Sequence, residues 1–524
     1  MKKCIILLFL AFGFQASAQP RTTKGTEFWF TYMENLALTF NGPPDYMVVI
    51  SSENGTSGQL EVPHTGLTIP FTVAPMSDVE ISLPAGVLYP QGDEATITFG
   101  FKVVANDSVN VYAYHSRVYF TEASMILPIS ELTSEYMVAA QKDYNGNSPS
   151  EFVIEATQDS TVIEITPSQI TASFRPANVP FTISLNKGNV YQLQSYENLT
   201  GTRIRSLNPA KKLAVFGGAR QAHVYCSGAD DHLYDQNYMN MFGTEFVTVP
   251  MAGQGGDVFN IVSLQDSNNV YINFGQAITL MKGEFLDTLL YNASYIVSNK
   301  PIAIAQYNKS QQCNSSNLGD PNMVIIPPVT LKKQHALFRN IDADPINASA
   351  FTTFYVNIVV PTSGTGAVFL DNQQVTGFQP LASNGAYSWK QLPVTAGSHH
   401  LYAASGMNAF TYGFGSFNSY AYHLGYDADN SPTGLNDVPP SGNGFSVTVS
   451  PNPVSSSAVI SINGVLPNPE STLRIYNTAG QLAAEKRFSG NQVLIDEKEL
   501  ASGLYYYTIT SKETYIGSGK FGVK

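Results

Sequence analysis

The chain is short of charge. Asp, Glu, Lys and Arg make up 13% of its 524 residues, about half of the usual ~25%. Helices that face water need those residues on their outer side, so a helix-rich fold is disfavoured, and no stretch of convincing length shows helical periodicity. Basic residues are scarcer still. The net charge of −12 and pI near 5.1 leave no basic footprint of the kind nucleic-acid binding requires. Apolar runs beyond the first eighteen residues are short, as in 213–218, and none approaches the ~20 residues of a membrane-spanning helix. No transmembrane anchor is therefore expected. Signatures of chemistry are missing too. There is no Gly-x-Ser-x-Gly elbow and no His-Glu-x-x-His zinc pattern among the eight histidines. Gly217-Gly218 and Gly253-Gln254-Gly255-Gly256 follow strand-like segments without opening a helix, so they read as turns or bulges rather than phosphate cradles.

What is present suits β-structure. Hydrophobic residues reach 43%, enough for real cores, and Tyr (29), Phe (30) and Gly (41) are abundant. That mixture fits strands and turns. The length allows two or more domains.

Residues 1–18 have the pattern of a secretory signal peptide. Lys2 and Lys3 form its basic start, 5–14 its apolar centre, and Ala16-Ser17-Ala18 the small-x-small cleavage site, with Gln19 as the expected new N-terminus. Cys4 lies at the front of the apolar centre, not at its end where a lipidated cysteine sits. Cys226 and Cys313 remain. An even pair in an exported protein favours one disulfide, and two buried free thiols are the alternative.

The middle of the chain repeats at a period of about a hundred residues. An apolar segment followed by a polar turn starts at Met47, Phe152, Phe259 and Val356. A second segment follows each turn, as in Val162–Ile165 and Val270–Ile272, and the pair reads as a hairpin. Another anchor recurs as Val109–Tyr112, Leu213–Phe216, Ile302–Ala305 and Phe410–Gly413. Two anchors sharing one period predict four related all-β units across 25–426, six or seven strands each. The expected fold class is all-β: tandem β-sandwich repeats, or alternatively a propeller-like ring with two blades per unit, followed by a small C-terminal β-sandwich. The expected boundaries are a signal peptide at 1–18, the repeat region at 19–430, a linker at 431–443 and a C-terminal domain at 444–524.

The C-terminal segment has alternating strands at 446–450, 458–462, 472–476 and 503–509. It carries Ser450-Pro451-Asn452-Pro453, then Leu473-Arg474-Ile475-Tyr476-Asn477 with Gly480-Gln481, Leu500-Ala501-Ser502-Gly503-Leu504-Tyr505-Tyr506 and the terminal 519–524. In this order and spacing they resemble the type A sorting domain of the type IX secretion system. The resemblance implies a Gram-negative host, passage of the folded chain across the outer membrane, and the secretion machinery as a partner.

The repeat region carries Gly25-Thr26-Glu27-Phe28, Asp231-His232-Leu233-Tyr234-Asp235-Gln236, Gly255-Gly256-Asp257-Val258-Phe259 and Gly319-Asp320-Pro321-Asn322-Met323. These are similar to the IgG-Fc-binding-protein N-terminal family, with Asp231, His232, Gly256, Asp257, Asp320 and Pro321 as motif positions. The family pattern has a cysteine directly before the Asp-His-Leu. Here Asp230 holds that place and Cys226 lies four residues earlier.

The densest polar cluster is Asp230-Asp231-His232 near His223 and Cys226. It reads as a structural loop, since a catalytic triad also needs a nucleophile and an oxyanion site. Asp427, Asp429 and Asn430 offer hard oxygen ligands that leave Ca²⁺ open as a cofactor, but without the glycine and glutamate of an EF-hand loop, and linker solvation is the preferred reading. No other cofactor is expected. Candidate ligand contacts are the insert between Cys226 and Met241 and the aromatics Phe410, Tyr412, Phe414, Phe417, Tyr420 and Tyr422. The leading expectation is a secreted or surface-displayed, adhesive binding protein, not an enzyme, with a protein or glycan as ligand and a host glycoprotein or glycan as the candidate partner. The alternatives are a structural matrix component and an exported hydrolase.

Overall fold

The computed structural model describes residues 21–35, 45–83, 89–117, 119–228, 231–341, 351–427, 446–454, 456–463, 470–477, 482–511 and 514–523. The expected signal peptide and linker, and with them Asp429 and Asn430, lie outside the described residues, as does Asp230.

Each of the four repeats is a two-layer sandwich organised by one long strand: Phe101–Arg117, Leu213–Ala222, Ser294–Tyr307 and Gly397–Gly415. In the first repeat the early half of the long strand pairs with Gly25–Phe30 and Thr56–Val62. Its later half pairs with Asp45–Ser52 and Phe120–Ile126. The strand thus belongs to both sheets. It changes sheet at a register shift, seen between Gly25 and Glu27 in the first repeat, Gly243 and Glu245 in the third, and Lys333 and His335 in the fourth. An irregularity of that kind bends and twists a strand. The second repeat breaks instead, into Arg203–Ser206 and Leu213–Ala222.

This topology corrects one expectation. The two segments flanking each polar turn are not hairpins. Asp45–Ser52 pairs with Ser77–Ser82 and the long strand, while Thr56–Val62 pairs with Leu67–Val73 and the long strand. The turn arches from one sheet to the other, because the long strand occupies the neighbouring position in both.

The repeat is also legible in a detail that the period had not exposed. Gly-Thr-Glu-Phe occurs at 25–28 and again at 243–246, in the same strand of repeats one and three. A Cβ on Gly25 would meet Pro128 at 2.3 Å, and one on Gly243 would meet Pro328 at 2.5 Å. The N–H groups of Ile129 and Val329 then donate to the carbonyls of Glu27 and Glu245. Only glycine admits that approach.

The last strand of every repeat, Phe120–Ile126, Asp231–Gln236, Met323–Ile326 and Asn418–His423, runs into a common hub where these four strands touch in a closed cycle. The units are therefore sandwiches, and they close into a ring. Both ends of the region meet there: the Thr23 N–H donates to the Tyr426 carbonyl at 2.9 Å, and the Asp427 N–H to that of Lys332 at 2.9 Å. Apolar cores cross the repeat boundaries. Tyr112 and Tyr114 of the first repeat pack with Phe338, Tyr420 and Tyr422 of the fourth, and Phe410, Tyr412 and Phe414 pack into the core of the third.

Among the described residues the C-terminal domain has seven strands in two sheets, of three and four strands, around Ile460, Leu473, Ile475, Ile495, Ile509 and Phe521. This is the small sandwich expected. No helix among the described residues is long and apolar enough to cross a membrane.

Candidate binding face at the hub

In each repeat the long strand reaches the hub strand through a tip, and contacts between the tips gather them at one end of the hub. The fourth tip is a tight turn, and the first carries Tyr119. The second, described over 223–228, and the third, 308–322, are longer. The third tip is the anchor. Gly319 N–H donates to Gly415 O at 2.7 Å and Phe417 N–H to Gln311 Oε1 at 2.7 Å, tying it to the fourth. Ser310 N–H donates to Val224 O at 3.1 Å, and the Cys226–Cys313 disulfide ties it to the second. The expected pairing of these cysteines is present, across 87 positions of chain.

Aromatic side chains stand on these tips. Tyr119, Tyr225 and Phe417 have φ of 68°, 76° and 56°, a left-handed conformation that costs a bulky residue ~1–2 kcal/mol. The cost is not offset by burial, because the three remain 46%, 49% and 40% exposed. Tyr119 and Phe417 meet edge to face at 6.2 Å. Lys309 Nζ lies over the Tyr225 ring, 5.5 Å from its centre.

Beside Tyr225 opens a cleft of about 490 Å³ between repeats two and three, lined by Gln141, Lys142, Asp143, Tyr144, Asp287 and Thr288 among others. Tyr144 is 59% exposed. Its backbone N–H donates to His223 O, placing it next to Tyr225. The floor is fixed by Asp143. One carboxylate oxygen meets His223 Nδ1 at 2.7 Å and the His223 N–H at 2.9 Å, and the other accepts the Asn147 N–H at 2.8 Å. Burial pushes this carboxyl up, but those hydrogen bonds outweigh it and hold it down at about 2. Two rings above hydrogen-bonding side chains suit a ligand with flat apolar faces and hydroxyl edges.

The motif residues do structural work. Asp231 and His232 are buried in a hub strand. Asp231 accepts the His232 N–H at 2.7 Å, His232 Nδ1 lies 3.3 Å from Arg220 O, and burial pulls the imidazole down to about 4. Gly256, at φ 93°, turns the chain where a Cβ would meet Leu290 O at 2.9 Å. Asp257 accepts the Met251 N–H and Gln306 Nε2, both at 2.6 Å. At Asp320, followed by Pro321, the backbone carbonyl accepts Asn308 Nδ2 and the Ser419 hydroxyl.

The expected ligand aromatics of the fourth repeat need correction. Phe410, Tyr412, Phe414, Tyr420 and Tyr422 are buried, because the fourth repeat is sealed on one side by the third and on the other by the first. Tyr412 donates to Asn357 Oδ1 at 2.9 Å, and Tyr422 to Arg339 O at 2.5 Å. Phe417 alone of the six reaches the surface. Asp427 takes the Thr22 hydroxyl at the ring closure, and no cluster of three metal-ligating side chains occurs among the described residues. Tyr144 and Tyr225 were missed by sequence reasoning. Superposing the repeats on their long strands would have placed Tyr119 and Tyr225 at tips.

The sequence pattern of the IgGFc binding protein family matches residues 122–413, more than half of the chain. The chain belongs to that family. A second pattern, the secretion system C-terminal sorting domain, matches residues 448–523, and gives the chain recognition by the type IX machinery and an extracellular or surface destination. The human IgGFc-binding protein is 23% identical over 327 residues, covering 60% of this chain and 6% of that protein. The chain thus spans a small fraction of its relative's length. Among solved structures, dimeric latent PorU from Porphyromonas gingivalis is 14% identical over 52% of this chain and 30% of that chain, with a TM-score of 0.14. A Ruminococcus gnavus β-glucuronidase is 11% identical over 74% of this chain and 46% of that chain, also with a TM-score of 0.14. Likenesses this faint carry no argument about fold or activity.

Proposed function

We propose that this IgGFc-binding family member is a non-catalytic adhesive protein that binds a glycan, free or carried on a host glycoprotein, at the hub face. The observation that carries the reading is the exposed pair Tyr144 and Tyr225 beside a polar-floored cleft. Tyr225 is held out in water at a conformational cost, and a ring so placed is surface built for contact. The ring beneath them is a rigid frame for presenting loops. The non-catalytic reading is supported by Asp231 and His232, which are sequestered in a strand below the surface. The signal-peptide pattern of 1–18 and the sorting domain together support delivery outside the cell as two successive addresses.

The test is an array of glycans and host glycoproteins, immunoglobulin included, probed with the exported protein. Saturable binding to a glycan or glycosylated protein, lost on deglycosylation, supports the proposal. Binding that survives deglycosylation shows a protein ligand, and turnover of a bound glycan shows a hydrolase. Either overturns it.

A further inference from the structure

Among the described residues Lys333 is buried with no carboxylate in contact, the partner a buried ammonium usually takes. It is 1% exposed and opens the strand Lys333–Asn340 of the fourth repeat. Its Nζ donates to Asn110 Oδ1 at 2.8 Å and to Thr23 Oγ1 at 3.3 Å. A buried ammonium normally pairs with a carboxylate, whereas Asn110 offers a neutral carboxamide. That residue is 2% exposed and sits in the long strand of the first repeat. Space for the lysine head is kept by Gly425, where a Cβ would come within 2.9 Å of Nζ. A primary amine is thus held against an amide carbonyl, out of water, by two elements that cannot move apart without opening the ring.

We propose that Lys333 and Asn110 join in an intramolecular isopeptide bond that closes the ring covalently. The amine lone pair of Lys333 attacks Cγ of Asn110. The new Nζ–Cγ bond forms, the Cγ–Nδ2 bond breaks, and the nitrogen leaves as ammonia with a proton that began on Nζ. No electrons are gained or lost, so no oxidant or reductant is needed. The reaction requires the neutral amine. Burial lowers the Lys333 pKa to about 8, against the opposing charges of Asp427 and Glu53, so a fraction of the amine is neutral at ordinary pH. Glu53 is engaged by Lys24 at 2.7 Å and Asp427 by the Thr22 hydroxyl, so the proton passes from Nζ to the departing nitrogen within the reacting pair. Contact already made in the ground state supplies the proximity that makes amide exchange feasible without an enzyme.

The place of the bond explains its use. Residues 110 and 333 are 223 positions apart, and they join the first repeat to the fourth where Thr23 meets Tyr426. The seam is the one point at which the ring depends on non-covalent closure between chain ends. Sealing it suits a protein that works under pull outside the cell.

The experiment is a peptide map of the exported, folded protein after denaturation, reduction and trypsin digestion. The expected result is a branched peptide containing both Asn110 and Lys333, lighter than the sum of its two parts by one ammonia. An intact mass does not suffice, because an N-terminal glutamine such as Gln19 also loses ammonia on cyclising. Asn110→Ala and Lys333→Met should lack the branched peptide and run more slowly than the wild type on a reducing denaturing gel. Recovery of the two wild-type peptides separate and unmodified overturns the proposal, and that result is decisive whether or not the variants fold.

Discussion

The carboxyl group of Asp235 accepts the backbone N–H of Ile325 at 2.8 Å, across 90 positions of chain and from one repeat to the next. Its other oxygen takes the Ser124 hydroxyl of the first repeat at 2.6 Å. One side chain therefore staples three hub strands. Glu122 does the same on the other side, accepting the Met323 N–H at 2.7 Å. The hub strands meet mainly through such groups, since their backbone edges face one another without a continuous ladder.

Removing that staple should loosen the ring. Asp235→Ala leaves the Ile325 N–H buried and unpaired, at a cost of about 2–3 kcal/mol. Urea denaturation of wild type and variant checks this. Equal midpoints would show that the hub does not depend on the carboxyl.

Asp235 also predicts a pH dependence. Burial raises its pKa to about 7 against its hydrogen bonds, above an unfolded value of ~3.9. The stability it adds as a neutral group is present in full below the unfolded value and is lost as pH rises through about 7. The stability difference between wild type and Asp235→Asn should therefore shift in favour of the wild type between pH 8 and pH 5. Denaturation midpoints at the two values measure it, and a constant difference would refute the buried titration.

The disulfide should matter through the unfolded chain. Closing a loop of 87 positions is worth about 4.5 kcal/mol in the chain-entropy account. Cys226→Ser with Cys313→Ser should lower the melting temperature, and alkylation of the native protein without reductant should label neither cysteine. Two labelled cysteines would show that the bond is absent from the exported protein.

Export should depend on the last domain. Deleting 444–524 removes the region that matches the sorting pattern, and fractionation should find the truncated chain in the periplasm. Normal levels at the surface or in the medium would show a second outer-membrane address.

Much of this architecture was legible in sequence because strands announce themselves by local pattern. The Met47, Phe152, Phe259 and Val356 anchors mark the second strand of each unit, and the Val109, Leu213, Ile302 and Phe410 anchors mark the long one. Which strands pair is not local. The arch after Ile50 looks like a hairpin turn until the long strand is seen to take both neighbours. The aromatics failed for the same reason. Tyr412 and Tyr225 are alike as residues, and only ring closure buries the first and leaves the second on a tip. Asp235 was visible inside a motif, but its role required knowing that Ser124 and Ile325 would lie beside it.

The most direct test of the binding-face account compares two classes of tyrosine on one array. Tyr144→Ala and Tyr225→Ala should reduce glycan binding by tenfold or more (about 1.4 kcal/mol or more) while leaving the melting temperature within a degree or two of wild type. Tyr412→Ala should do the reverse to stability, costing about 3–5 kcal/mol as a large buried side chain is lost. Full binding by the Tyr144 and Tyr225 variants, with the protein folded, would contradict the account and move the ligand site off the hub face.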